Sequence, residues 1–409
     1  MLINMRGGLM AGKRLPYDAE VEYIESTGTQ WIDTGVNVTT STGFEITAKF
    51  NSTAMGVFGA VLPSPTGSTR FHFGRRDNVV GSNKLFWGIW SGTYYGRSST
   101  IDYSTEHLFK YVPSQSSSFF VDTSAYAIGY QTQRYYPSES RLFYLFATSD
   151  LSSAAALPCS ALCYGAKFYD GSTLVRDFIP VRVGNVGYMY DRVSGKLFGN
   201  EGTGDFVLGS DVVPVEYIES HGTEWIDTGV VPTANTNVAI DYQTLITTGT
   251  DSNAFFGSRI AAQSSALSIM QYLTGGAIRL RWDYGGSLAN FVEVRSGVHA
   301  ISTVGNAATY DNAESVSGGI FAASGKSIWL FAINNNGSAL VPHKGLQVYL
   351  FKIYDGSTPV CSFRPVRVGT DATSWEGAMM DVLIRRIYRN LGTGAFGYGN
   401  DLKYPIPAE

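Results

Sequence analysis

Val21 to Val36 reads VEYIESTGTQWIDTGV, and the chain writes it again at Val215 to Val230 as VEYIESHGTEWIDTGV. Fourteen of sixteen positions are identical; Thr27 stands against His221, and Gln30 against Glu224. The shift of 194 residues far exceeds the roughly 20–50 residues of solenoid and propeller units, so it marks duplication of a whole domain. Within the stretch, Val21-Glu22-Tyr23-Ile24 reads as a strand and Ser26-Thr27-Gly28 as a turn. Trp31-Ile32 then runs into a second turn at Asp33-Thr34-Gly35.

Working outward, a second pair of matching stretches appears. Ala166 to Gly184 is AKFYDGSTLVRDFIPVRVG, and Phe351 to Gly369 is FKIYDGSTPVCSFRPVRVG. Copy one closes with Leu197 to Phe206 (LFGNEGTGDF), and copy two with Ile387 to Phe396 (IYRNLGTGAF). Between these anchors the copies diverge, which is where copy-specific function would sit.

The bulk composition fits this pattern. Charged residues are 16% of the 409, below the roughly 25% of an average soluble domain, while aromatics are 13% and there are 46 glycines. Segments such as Gly43 to Phe50 alternate apolar and polar, the period of a half-buried strand. No segment carries a capped 3.6-residue apolar period; Leu151 to Leu162, Ala/Ser-rich with Pro158 inside it, comes nearest. The expected fold class is all-β, as two tandem antiparallel jelly-roll β-sandwiches. The expected divisions are a leader or anchor at 1–19, sandwiches at 20–210 and 211–402, and a tail at 403–409.

Several function classes are excluded on expectation. A net charge of −4 argues against nucleic acid as a partner, and the basic pairs Arg75-Arg76 and Arg385-Arg386 lie in strand-like segments. No window reaches the roughly 18–20 apolar residues of a membrane span, so no membrane partner is expected. MLINMRGGLMAGKRLPYDAE lacks the apolar run of a secretory signal, which points to synthesis in a cytoplasm without standard export. Cys159, Cys163 and Cys361 are too few for a disulfide framework. The first two could pair or share a metal, but they read first as two small buried thiols.

Tyr-Ile-Glu-Ser-x-Gly-Thr-x-Trp-Ile-Asp-Thr-Gly, together with the closing Tyr190 to Gly204 (YDRVSGKLFGNEGTG), is similar to motifs of bacteriophage structural proteins and of gut-bacterial surface proteins. Such domains resemble the concanavalin A-like lectin/glucanase superfamily, the laminin-G-like jelly roll. Copy two departs where Arg386-Ile387-Tyr388-Arg389 replaces the Gly195 to Gly199 region, which raises the question whether its last hairpin has the same shape. The resemblance implies two face-packed antiparallel sheets that hold sugars in a concavity or on rim loops; a fold does not by itself give a function.

The chemistry is sparse. Glu20, Glu22 and Glu25 only imperfectly echo the Glu-x-Asp-x-x-Glu of laminarinase-type members, and copy two has Pro214 where Glu20 would fall. No enzyme activity is therefore expected. GIFAASGKS, Gly319 to Ser327, has one residue too many for a phosphate loop and precedes a strand; it reads as a hairpin turn. His107 and His299 open equivalent strands, and Asp33 and Asp227 read as turn caps, with a calcium ion as the alternative. No other cofactor is expected.

The candidate ligand-binding residues are aromatics and arginines of the divergent middles, which suit stacking on sugar rings and donation to hydroxyls or acids. They are Arg75, Trp87, Trp90, Tyr94 and Tyr95 in copy one, with Arg76 beside them, and Arg279, Arg281, Trp282 and Tyr284 in copy two. In LFWGIW, Trp87 and Trp90 fall on opposite strand faces, so one is core and one exposed. The expected protein is a bacteriophage virion surface component, a head fibre, decoration protein or tail appendage. It would bind glycans, act as a homo-oligomer, and hold other virion proteins through residues 1–20. A structural spacer, a bacterial adhesin and a glycoside hydrolase are the alternatives.

Overall fold

The computed structural model describes residues 15–51, 56–64, 67–76, 84–91, 101–113, 119–126, 139–151, 154–249, 251–261, 264–370, 373–402 and 405. Residues 1–14 of the expected leader and most of the expected tail lie outside them, while the end of that leader belongs to the first sandwich, where Ala19–Val21 pairs antiparallel with Thr173–Val183. The described residues contain strands and turns and no helix. The chain divides into two compact units, Met1–Gly209 and Ser210–Glu409.

In the first unit the larger sheet runs Ser124–Tyr126, Phe119–Val121, His107–Tyr111, Thr42–Phe50, Ser160–Asp170, Thr173–Val183, Val186–Asp191, Lys196–Phe198, every neighbour antiparallel. The smaller sheet runs Lys84–Ser91, Gly67–Arg76, Gly56–Ser64, Leu142–Leu145, Ile32–Asn37. Phe44 and Phe50 of the larger sheet meet Phe71, Phe73 and Phe58 of the smaller one, with Phe44 stacked on Phe73 at 5.1 Å. Aromatic pairs of this kind add to the area they bury, so this filling fixes which faces turn inward.

The second unit repeats the layout, with one further strand, Ser287–Glu293, described at the edge of its smaller sheet. Its larger sheet runs Glu314–Ser317, Ala307–Tyr310, His299–Val304, Thr236–Thr244, Leu346–Asp355, Thr358–Gly369, Trp375–Asp381, Arg386–Tyr388. Its smaller sheet runs Ser287–Glu293, Ala277–Tyr284, Leu267–Thr274, Asn253–Arg259, Trp329–Leu330, Ile226–Asp227. Each unit is thus a jelly-roll β-sandwich, antiparallel except for one short parallel pairing in each smaller sheet. The stretch Leu151 to Leu162 holds strand rather than helix, and 318–327 is irregular rather than a hairpin.

The repeated motifs close each sandwich on itself. Asn200 Oδ1 accepts the Trp31 and Gly202 amides at 3.1 and 2.8 Å, while its Nδ2 donates to Gly204 O at 2.7 Å. Asn390 makes the same three bonds, to Trp225, Gly392 and Gly394, at 3.1, 2.8 and 2.6 Å. Backbone bonds Glu201 N to Trp31 O and Leu391 N to Trp225 O, both 2.9 Å, run alongside. A Cβ on Gly202 would sit 2.0 Å from Thr29 O, and one on Gly392 1.7 Å from Thr223 O, so only glycine fits. The opening and closing stretches are therefore the two halves of one clasp.

The two substitutions within the opening stretch leave the clasp intact. Gln30 Oε1 accepts the Thr27 amide at 2.8 Å, and Glu224 Oε2 accepts the His221 amide at 2.7 Å. Burial pushes the Glu224 carboxyl up, but the donors from His221 and Thr223 outweigh it and hold its pKa below the ordinary value. The last hairpin also keeps its shape: Asp191 faces Lys196 as Asp381 faces Arg386. Arg385 takes the left-handed conformation (φ 59°) that Gly195 takes in copy one (φ 70°).

Candidate functional site

The structure buries three of the six expected aromatics. Trp282 is fully buried, Tyr284 nearly so, and Trp282 Nε1 donates to Asn306 O at 2.9 Å. Trp87 is also buried and stacks on Phe119 at 5.4 Å. These three are sandwich filling and cannot offer a face to a ligand. Arg75 is buried with its guanidinium 4.7 Å from the Tyr103 ring centre. Tyr94, Tyr95 and the side chains of Arg76 and Trp90 lie outside the described residues.

Arg279 and Arg281 do reach the outer face of the second unit's smaller sheet, as alternation along Ala277–Tyr284 requires. Arg281 lies over the Tyr272 ring at 3.5 Å and donates to Asn290 Oδ1 at 3.1 Å. Arg279 pairs with Glu293 at 3.0 Å.

Glu293 leads to the neighbouring cleft of about 300 Å³ at the rim of this sandwich. One wall is the loop Thr247, Thr248 and Gly249, exposed, which leaves the larger sheet after Thr236–Thr244. The other is the hairpin Leu273 to Ile278 of the smaller sheet, turned by Gly275 and Gly276 at φ 61° and 82°. Val294 closes the floor, its amide donating to Ile278 O at 2.9 Å. The cleft therefore offers threonine hydroxyls, a carboxylate and an apolar floor. It sits at the small end of the range typical of ligand pockets.

A buried network holds the threonine loop. Gln271 Nε2 donates to Ile246 O at 3.3 Å, and Gln271 Oε1 accepts from Thr244 Oγ1 at 3.2 Å. His343 stands behind it. The Gly345 amide donates to His343 Nδ1 at 3.1 Å, so Nε2 carries the proton and donates to Gln271 Oε1 at 3.2 Å. Burial pushes the His343 ring down to about 3, so it is neutral at neutral pH.

The sequence reading missed the cleft, although one signal for it exists. Phe58 follows Phe50 by eight positions, whereas Phe256 follows Thr244 by twelve at the equivalent connection. The longer loop builds the wall.

The remaining candidates are structural. Glu20 is buried, and Glu25 accepts from Asn51 Nδ2 at 2.8 Å. Asp33 and Asp227 each accept the amide two residues on, Gly35 and Gly229, at 2.8 Å; in copy one this bond holds an irregularity inside the strand Ile32–Asn37 rather than a turn between strands. His107 and His299 match: Nδ1 lies 2.7 Å from Asp122 Oδ2 in one and 2.8 Å from Asp311 Oδ2 in the other, and Nε2 faces a backbone carbonyl in both. Cys159, Cys163 and Cys361 are free buried thiols, and burial raises the pKa of each. Among the described residues no group of His, Cys, Asp or Glu is arranged to hold a metal ion.

No family model matches the chain, and no curated protein matches it. Among solved structures the chain is similar to the mouse laminin alpha1 chain, domains LG4-5, at 8% identity and a TM-score of 0.27, covering 97% of this chain and 98% of that chain. The jelly-roll assignment rests on the sheets themselves.

Proposed function

We propose that the protein is a non-catalytic binding module that takes carbohydrate at the rim cleft of its second unit. The observation that carries the reading is the cleft itself, a space built by an inserted loop on a sandwich whose closing parts are duplicated almost unchanged. Threonine hydroxyls and a carboxylate suit the hydroxyls of a neutral sugar, and Leu273, Ile278 and Val294 suit its apolar face. Binding at one such site is weak, and repetition on a multimeric particle strengthens it. On the motif resemblance, that particle is a bacteriophage virion assembled in a bacterial cytoplasm. The protein is displayed on its surface as a homo-oligomer and is held to other virion proteins through residues 1–20.

A second reading, a structural spacer in the same particle, draws support from the burial of Trp87, Trp282 and Tyr284. A glycan array on the full chain separates the two. Thr248→Trp fills the cleft and Glu293→Gln removes its carboxylate. Binding by the native chain that Thr248→Trp abolishes supports the module; no binding at any density by folded protein leaves the spacer.

A further inference from the structure

Asn336–Gly337 is the only Asn-Gly pair in the sequence, and it sits in the exposed turn of the hairpin Ile333–Asn335 and Ser338–Leu340. Asn-Gly is the dipeptide most prone to self-modification, because glycine leaves the following nitrogen unshielded. That nitrogen, once its proton passes to a base in solvent, attacks the Asn336 side-chain carbonyl carbon. A C–N bond forms, the Cγ–Nδ2 bond breaks, and ammonia leaves with the proton. Water then opens the ring at either carbonyl, giving aspartate or isoaspartate.

Here the attacking nitrogen is occupied. The Gly337 amide donates to Asn334 Oδ1 at 2.8 Å. Asn334 is buried, 4% exposed, and its own Nδ2 donates to Ser327 O at 3.0 Å, so the acceptor is held in place. The turn is pinned on its other side too. The Asn336 amide donates to Arg259 O at 2.9 Å, and Arg259 Nε donates to Asn335 Oδ1 at 3.0 Å. Asn336 stands at φ 52°, fixed in the left-handed region by these bonds.

We infer that Asn336 is a latent modification site whose conversion to aspartate or isoaspartate is restrained by the Asn334 side chain. Reaction requires the Gly337 hydrogen bond to open first, so its rate follows local opening of this hairpin. Modification would place a new carboxylate beside Arg259. Isoaspartate would also lengthen the backbone of a hairpin that packs Leu340 and Val341 on the Ala254, Met270 and Ile333 cluster. The site would record the age of a long-lived protein.

The test is peptide-mapping mass spectrometry of the intact full-length chain held at mildly alkaline pH. The native protein, the same protein unfolded in urea, Asn334→Ala and Asn334→Asp are followed together. Asn334→Asp keeps an acceptor for the Gly337 amide, and circular dichroism checks that each variant is folded. The expected result is slow conversion at Asn336 in native protein and in Asn334→Asp. Conversion should be about fivefold faster in folded Asn334→Ala, the factor by which losing a hydrogen bond of ordinary net strength shifts an opening equilibrium. Unfolded protein should convert fastest. Conversion of native protein as fast as unfolded protein overturns the inference, as does a folded Asn334→Ala that reacts no faster than native. If Asn334→Ala does not fold, Asn334→Asp and the native-against-urea comparison decide it: both folded forms must be slow.

Discussion

Asn200 and Asn390 hold the same three partners in the two units, at distances that agree within 0.1 Å. The rim connections show no such agreement. The one after Thr244 is four residues longer than the one after Phe50, and it carries the threonines that wall the cleft. The difference separates two kinds of constraint. Clasp residues answer to a backbone that must meet itself across some 170 positions, so a change at Gly202 or Asn200 has nowhere to go. Rim residues meet no such closure: the Thr247 to Gly249 loop is exposed and is held from behind, through Gln271 and Ile246. Glu224 standing where Gln30 stands shows how narrow the clasp's tolerance is: both side chains present an oxygen to the same amide.

The comparison can be broken at several depths. The largest expected effect is on the strand Ala277–Tyr284, which alternates core residues with outward-facing ones. Trp282→Ala should cost about 4 kcal/mol in urea unfolding, because it leaves a tryptophan-sized void. Arg281→Ala, one position away on the outer face, should stay within about 0.5 kcal/mol of native. Next come Asn200→Ala and Asn390→Ala. Each strands two backbone amides and should cost about 2 kcal/mol, by the same amount in both units. Unequal losses would mean that the two clasps are not equivalent.

A smaller effect follows from pH. Burial, with Arg70 adding to it, holds His72 down to about 3, and burial alone holds His343 there. An unfolded histidine binds its proton near 6.5. The stability tied to these neutral rings is therefore complete above 6.5 and is lost as pH falls toward 3, at about 1.4 kcal/mol per pH unit for each histidine. Unfolding followed from pH 8 downward should show that onset, and His343→Gln should reduce the slope. The smallest effect is at Glu224→Gln, which gives copy two the residue of copy one. The Glu224 pKa is lowered, so its contribution is present above the ordinary carboxylate range and lost as pH falls through the lowered value. The substitution should flatten that acid limb and change neutral-pH stability by less than about 1 kcal/mol.

Much of this architecture could be read from particular residues. The strand reading of Gly43 to Phe50, with Phe44, Ile46, Ala48 and Phe50 in the core, and the bond of the Asp33 side chain to the amide two residues on are local rules, and they hold in the structure. The candidate site was less legible for a physical reason. A tryptophan in a strand advertises stacking on either face, and alternation tells which residues share a face without telling which face is inside. Leu280 and Trp282 point inward, and their arginine neighbours do not. The clasp was visible as a repeated motif, but its purpose was not. Asn200 gains meaning only beside Trp31, 169 positions earlier in the chain. His343, Gln271 and Thr244 come from three separate strands or loops, so no spacing in the sequence brings them together.

The most direct test of the clasp is amide hydrogen exchange on the intact chain, resolved at Glu201, Thr203, Leu391 and Thr393. If the repeated motifs lock each sandwich, these amides exchange only with global unfolding, in step with the central strands Ser160–Asp170 and Leu346–Asp355, while the Thr247 to Gly249 loop exchanges early. Fast exchange of the four amides while the central strands stay protected would show the closing segments fraying from an already stable sandwich, and would contradict the account.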